Sequence, residues 1–338
     1  MKISNQQGMK SRRAILASLV VAVAAVLPVA GHAQSSGTAG PPSRFVVTLL
    51  KGNALSYVPI VAQETGIWAR HGLAVEFVNV TNGPAFISSI QSGSADGGPS
   101  AFTLAIPAEQ RGGKRLVAIA GDLGVASYTI VVRPEIANKF QGDWRQVVQA
   151  LKGTKFGVPA VGGEVAFVFQ GLLQAAGLDP AKDLTIVQAG AINAAIAALK
   201  RGDIDAYIGS VYAQVVGLQE MGVAKVVLDL NNAEPFKIWS HTQFFVSEAM
   251  IKEHPEVVRR VQAALKETQA WIHDPKNFDQ ALKIANEIFP VSAPAMHDMI
   301  SRFRYELDRK SVEANLTFFE KAGLIKGPIK YEDVVFLN

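Results

Sequence analysis

The sequence contains no cysteine. That absence excludes disulfides, thiolate metal sites, cysteine nucleophiles and a lipid-modified N-terminal cysteine together. Its six histidines are His32, His71, His241, His254, His273 and His297, and no two stand three or four residues apart. A helix-borne imidazole pair for a metal is therefore absent. So are the phosphate loop, the dinucleotide fingerprint and the nucleophile elbow. Neither a metal nor an organic cofactor is expected, nor an enzyme. Basic excess is missing too. Lys2, Lys10, Arg12 and Arg13 are the only charged residues before Gln34, and without them the 33 Lys and Arg fall to 29, equal to the 29 Asp and Glu. Such a balance speaks against nucleic acid or an anionic membrane as a partner.

What is present is a globular chain. Of its 338 residues 49% are apolar and 18% charged, enough core for two lobes of roughly 100–200 residues each. The N-terminus has the pattern of an export signal. "SRR" (Ser11–Arg13) precedes an apolar run, Ala14–Ala30, and Gly31 and Ala33 stand at −3 and −1 of a cut before Gln34. The run is short for a membrane anchor and contains Pro28. "SRRAIL" resembles a twin-arginine signal with Ile15 where Phe is usual; that route and ordinary secretion both stay open. The expectation is a signal peptide over 1–33, a polar linker over 34–43 and a mature protein free in the periplasm.

From Arg44 onward β-branched apolar runs alternate with helical patterns. Such alternation predicts mostly parallel sheets flanked by helices. The pattern restarts near Ser127, and after "TQFFVS" (Thr242–Ser247) the chain is nearly all helical. Ser56 and Asp143 are expected caps of helices over 56–73 and 143–153. "SIQSGSADGGPSAF" (Ser89–Phe102) and "ALKRGDIDAYIGSVYA" (Ala198–Ala213) share one skeleton, so that Gly93 and Asp96 align with Gly202 and Asp205. In each, a glycine closes a helix and an aspartate enters a strand. Asp203 and Asp205 read as a solvated turn rather than a catalytic pair.

Five corners repeat a further theme: a strand ends in small residues and a helix begins there. They are "VTNGPAF", "GGPSAF", "VPAVGGEVAF", "QAGAINAA" and "GSVYAQ". In open parallel sheets the carboxyl ends of strands face the ligand crevice, and free N–H groups at helix starts hold anions without Arg or Lys. The candidate ligand-binding residues are Asn53, Tyr57, Asn82, Gly83, Phe86, Ser100, Ala101, Phe102, Asp122, Tyr128, Gly163, Glu164, Val165, Asn193, Ser210 and Tyr212. The aromatics among them are candidates for walls of a partly apolar pocket.

Several stretches resemble the solute-binding proteins of ABC importers in the nitrate, sulfonate and taurine group. They are "SYVPIVAQETGIWARHGLAVEFVNV", "SIQSGSADGG", "LKGTKFGVPAVGGEVAF", "AALKRGDIDAYIGS" and "MIKEHPEVVRRVQAAL". The resemblance covers about Arg44 to Leu265. It implies an α/β, two-lobed periplasmic-binding-protein fold of the second type, with the C-terminal helices on the first lobe. Lobe I would be 44–124 plus 242–338, lobe II 125–232, and 233–241 a second crossing. It also implies capture of a small organic anion by lobe closure and delivery, as a monomer, to a permease in the inner membrane. Sulfonate binders of the group have Ser or Thr where this chain has Gly163 and Glu164. A carboxylate there suits a helix start, or, facing the cleft, favours a ligand with a donor or cationic group. Two alternatives stand beside transport. One is binding or synthesis of thiamin-precursor pyrimidines, which the group's yeast members carry out with a Cys-rich segment. The other is ligand sensing for a signalling partner.

Overall fold

The β-branched, apolar run "SRFVVTLL" is the buried strand β1 (Ser43–Leu50) of a computed structural model. The model describes residues 41–50, 52–125, 127–190 and 192–337, apart from the side chains of Tyr212, Ala213 and Gln214. The expected signal peptide lies outside these residues, as does most of the linker. Among the described residues no helix is long and apolar enough to cross a membrane.

After β1 come α1 (Tyr57–Glu64), α2 (Ile67–Arg70), β2 (Leu73–Val80), α3 (Gly83–Ser92), β3 (Gly97–Ser100), α4 (Phe102–Gln110) and β4 (Leu116–Gly121). The helix expected over 56–73 is two helices. Gly66 takes φ 69° between them, a left-handed conformation that ends α1 and that glycine adopts without strain. Ser56 does not cap α1. Its hydroxyl instead accepts from Leu50 N and donates to Leu50 O. The second set is β5 (Thr129–Val132), α5 (Trp144–Gln149), β6 (Lys155–Val158), α6 (Glu164–Ala175), β7 (Thr185–Gln188), α7 (Ile192–Arg201), β8 (Ala206–Gly209), α8 (Tyr212–Glu220) and β9 (Lys225–Asp229). Here Asp143 caps α5 as expected, accepting from Gln146 N at 3.0 Å. The chain then returns through β10 (Gln243–Ser247) to α9 (Glu248–Glu253), α10 (Pro255–His273), α11 (Phe278–Ile288), α12 (Ala293–Arg302), α13 (Arg309–Lys321) and α14 (Tyr331–Val334).

Two five-stranded sheets result, in the orders β2-β1-β3-β10-β4 and β7-β6-β8-β5-β9. The ladders of β1 with β2 and β3, and of β6 with β7 and β8, are parallel. β10 and β5, the strands reached by crossing from the other sheet, run antiparallel to both neighbours. The two sheets thus repeat one topology, and the repeated Gly-x-x-Asp is its visible trace. Gly93 and Gly202 take φ 79° and 75° just after α3 and α7, where only glycine is comfortable. Asp96 Oδ2 accepts from Val46 N at 2.7 Å, and Asp205 Oδ2 accepts from Lys155 N at 2.9 Å. Each aspartate N–H returns a bond to the same residue's carbonyl at 2.8 Å. Each Asp therefore fixes where the third parallel strand enters beside the first. Asp203, by contrast, is exposed and pairs with Arg201. A hydrogen bond to a charged group contributes about 1.5–3 kcal/mol, so Asp96→Ala and Asp205→Ala should each lower stability by about 2 kcal/mol in urea denaturation. A loss confined to one of the two would break the equivalence.

The C-terminal helices do not all rest on the first sheet. α10 and α11 pack on α1. α12 packs on α8, and α13 meets α6 through Phe319 and Phe167, with ring centroids 6.3 Å apart. Trp239, from the return crossing, is buried between Phe236 and Phe318 at 4.9 and 4.8 Å.

Candidate functional site

The chain crosses between the sheets at 122–128 and 230–242, and the crossings are bonded to each other. His241 N and Thr242 N donate to Leu123 O at 2.9 and 3.0 Å, Asp122 N donates to Thr242 O at 3.1 Å, and Leu230 N donates to Tyr128 O at 3.0 Å. Beside this seam lies a cavity of about 200 Å³. Its wall includes Leu50, Thr81 and Ser100, at the ends of β1, β2 and β3, and Pro159, Gly209 and Ser210, at the ends of β6 and β8. It therefore sits at the carboxyl ends of the parallel strands of both sheets, the place that open α/β topology assigns to a ligand.

Helix starts line it too, and three have a residue at the cap position that makes no side-chain bond. These are Ala101 before α4, Gly163 before α6 and Val211 before α8. All three residues line the cavity. The first N–H groups of a helix have no partner within the helix. At these three ends no cap residue takes them, so they are available to an acceptor in the cavity. α3 differs: Asn82 Oδ1 accepts from Ala85 N at 2.9 Å and occupies that end.

Among the described residues of the wall there is no Lys, Arg or His, and the one charged side chain among them is Glu164. That carboxylate is 9% exposed. Its Oε1 accepts from the Tyr128 hydroxyl and lies 3.1 Å from His241 Nε2. The two rings, one from each crossing, stand 4.5 Å apart. Burial first, and the Glu164 charge second, push the Tyr128 hydroxyl well above its ordinary pKa, so it stays a donor. His241 Nδ1 is buried and accepts no hydrogen bond from the described residues. The tautomer with its proton on Nε2, aimed at Glu164, fits this arrangement. Next along the seam, Asp122 is buried, and its Oδ2 accepts from Thr242 Oγ1 at 2.9 Å while its Oδ1 has no hydrogen-bond partner among the described residues. Burial pushes this carboxyl up to about 7.

Of the candidate residues, Asn53, Asn82, Gly83, Ser100, Ala101, Gly163, Glu164, Val165 and Ser210 meet at the cavity. Tyr57, Phe86 and Phe102 do not, because aromatics in the first turn of a helix fold back onto the sheet or a neighbouring helix. Tyr57 is buried, with its hydroxyl on Ala281 O at 3.0 Å. Phe86 is core, and Phe102 packs edge-on to Phe245 at 5.5 Å. Asp122 and Tyr128 stand behind the wall, on the first crossing. Asn193 gives its place to Ile192. The Tyr212 side chain lies outside the described residues. The sequence reading missed Tyr207, Pro159 and Thr242 on the wall and the contact of His241 with Glu164. Tyr207 had a signal in the alternation of β8. The His241 contact had none, because it joins residues 77 positions apart.

A family model described as NMT1/THI5 like matches residues 56–277. YtlA of Bacillus subtilis, named as a candidate binding protein, is 23% identical over 294 residues, 84% of this chain and 85% of the relative. The alkanesulfonate-binding protein SsuA of Xanthomonas axonopodis pv. citri, solved bound to MOPS, superposes with a TM-score of 0.69 at 17% identity, covering 88% of this chain and 99% of that one. The periplasmic nitrate-binding protein NrtA of Synechocystis PCC 6803 gives 0.68 at 16% identity, with 87% and 86% covered. The fold also extends to an enzyme, the desulfurization enzyme DSZB, at 0.59 and 17% identity, with 86% and 95% covered.

Proposed function

The chain belongs to the NMT1/THI5-like family and has the fold of periplasmic binding proteins, and from that premise we propose that it is the solute-binding component of an ABC importer. It is exported by its N-terminal leader, works as a monomer in the periplasm, holds a small organic anion between its halves and passes it to an inner-membrane permease. One observation carries this reading: three helix starts without a side-chain cap converge on a cavity at the strand ends. Two or three such ends, each contributing about 0.3–2 kcal/mol to an anion, together with hydrogen bonds, support micromolar affinity, roughly 8 kcal/mol. The cavity is smaller than the roughly 300–1,000 Å³ of drug-sized sites, which supports a small solute. The paired crossings supply the hinge about which the halves close.

A thermal-shift screen of sulfonates, aromatic carboxylates and pyrimidines should give a stabilising ligand, and a crystal structure with it should show it in the cavity. A ligand seated elsewhere overturns the assignment. Binding should survive dialysis against a chelator; a loss that zinc or calcium restores would count against the proposal. The ligand should also be recovered unchanged after prolonged incubation, whereas a new product would move the protein to the enzymes of this fold.

A further inference from the structure

Glu164 is an odd residue to find on the wall of an anion site. A buried carboxylate beside an anion is repulsive, and the penalty grows as water is excluded. Its position at the first turn of α6 suggests a cap, but its bonds do not go there. Oε1 accepts from Tyr128 and His241 instead. No hydrogen bond reaches Oε2 among the described residues, and the side chain lines the cavity. One oxygen is thus fixed by two donors, one from each crossing, and the other keeps its acceptor capacity on a side chain that lines the cavity.

Resting on the solute-binding reading above, we infer that the ligand carries an N–H donor that seats on Glu164 Oε2. Its class is then a small amino-substituted acid. The acidic end lies at the helix starts of α4 and α8, and the amino end lies on the carboxylate. A zwitterion removes the conflict in the wall, because it places a positive group against the one negative side chain and a negative group against N–H donors. Tyr128 and His241 do not touch the ligand. They are positioning residues that hold the carboxylate in one orientation, which lowers the ordering cost of the ligand's bond.

Calorimetric titration of matched pairs tests this. The probes are taurine against ethanesulfonate, β-alanine against propionate, glycine against acetate, and para-aminobenzoate against benzoate. In at least one pair the amino member should bind the wild-type protein tighter by about tenfold or more, as in a site built for a hydrogen-bonding group. Glu164→Gln should erase that preference and tighten the amine-free member. Tyr128→Phe and His241→Leu should shrink the ratio between the two members, and His241→Gln, which keeps a donor, should restore it. A purely structural role would weaken both members equally and leave the ratio unmoved. If Glu164→Gln does not fold, Tyr128→Phe reads the same ratio. Equal or tighter binding of the amine-free members to the wild type overturns the inference while leaving the solute-binding reading intact. If no member of any pair binds, the anion reading falls, and the inference falls with it.

Discussion

Ala101→Ser combined with Val211→Thr should leave the fold as stable as before or more so, yet weaken the anion by roughly a hundredfold, about 2.7 kcal/mol. Ala101 and Val211 occupy the cap positions of α4 and α8 in extended backbone and make no side-chain bond there. A Ser or Thr hydroxyl at such a position accepts from an N–H of the first turn and typically contributes about 0.5–2 kcal/mol to stability. That same N–H is then lost to the ligand. Most mutations that weaken a site also weaken the fold, so opposite signs in denaturation and titration separate this mechanism from general damage. Unchanged affinity in the double variant would show that the ligand does not sit on these helix ends.

Asp122 should make the protein more stable in mild acid than in mild base. Its carboxyl is pushed up to about 7 from an ordinary 3.8, chiefly by burial. Between those values the folded protein holds a proton that the unfolded chain has released, so acid favours the folded state. The contribution is fully present below about pH 4 and is lost as the pH rises through 7. Over that window it amounts to about 4 kcal/mol. Urea denaturation at pH 5 and pH 8.5 should show the drop, and Asp122→Asn should flatten it. A slope that survives in the Asn variant would locate its source elsewhere.

The strands were legible in the sequence because each is a short apolar run bounded by turn residues. The repeated topology was legible because its aspartate bond demands one residue type at one spacing. The strand-to-helix corners holding Ala101 and Gly163 could be read as well, but Val211 was not among the candidates, and the missing side-chain caps became visible only in the fold. The direction of an aromatic in a first turn could not be read. Tyr57, Phe86 and Phe102 occupy corners in sequence, but a large ring is most stable against the core, and nothing local records which side of the helix that is. The Tyr128–Glu164–His241 contact was equally hidden, because it exists only once both crossings lie side by side. Gly66 showed that a pattern continuous in hydrophobicity can still be broken by one left-handed residue.

The placement of β10 has a bearing on how the molecule is made. The second sheet is assembled from one continuous stretch, β5 to β9, and every strand has its partners by Asp229. The first sheet cannot be finished early, since β10 lies between β3 and β4 and supplies the ladder of each. Until Gln243–Ser247 emerges, β3 presents an open edge and β4 has no strand beside it. Contacts so distant in sequence form late, after the loop-closure entropy between them has been met. The part of the chain synthesised first is therefore the part completed last, and it spends the interval with an unpaired apolar edge of the kind that recruits other chains.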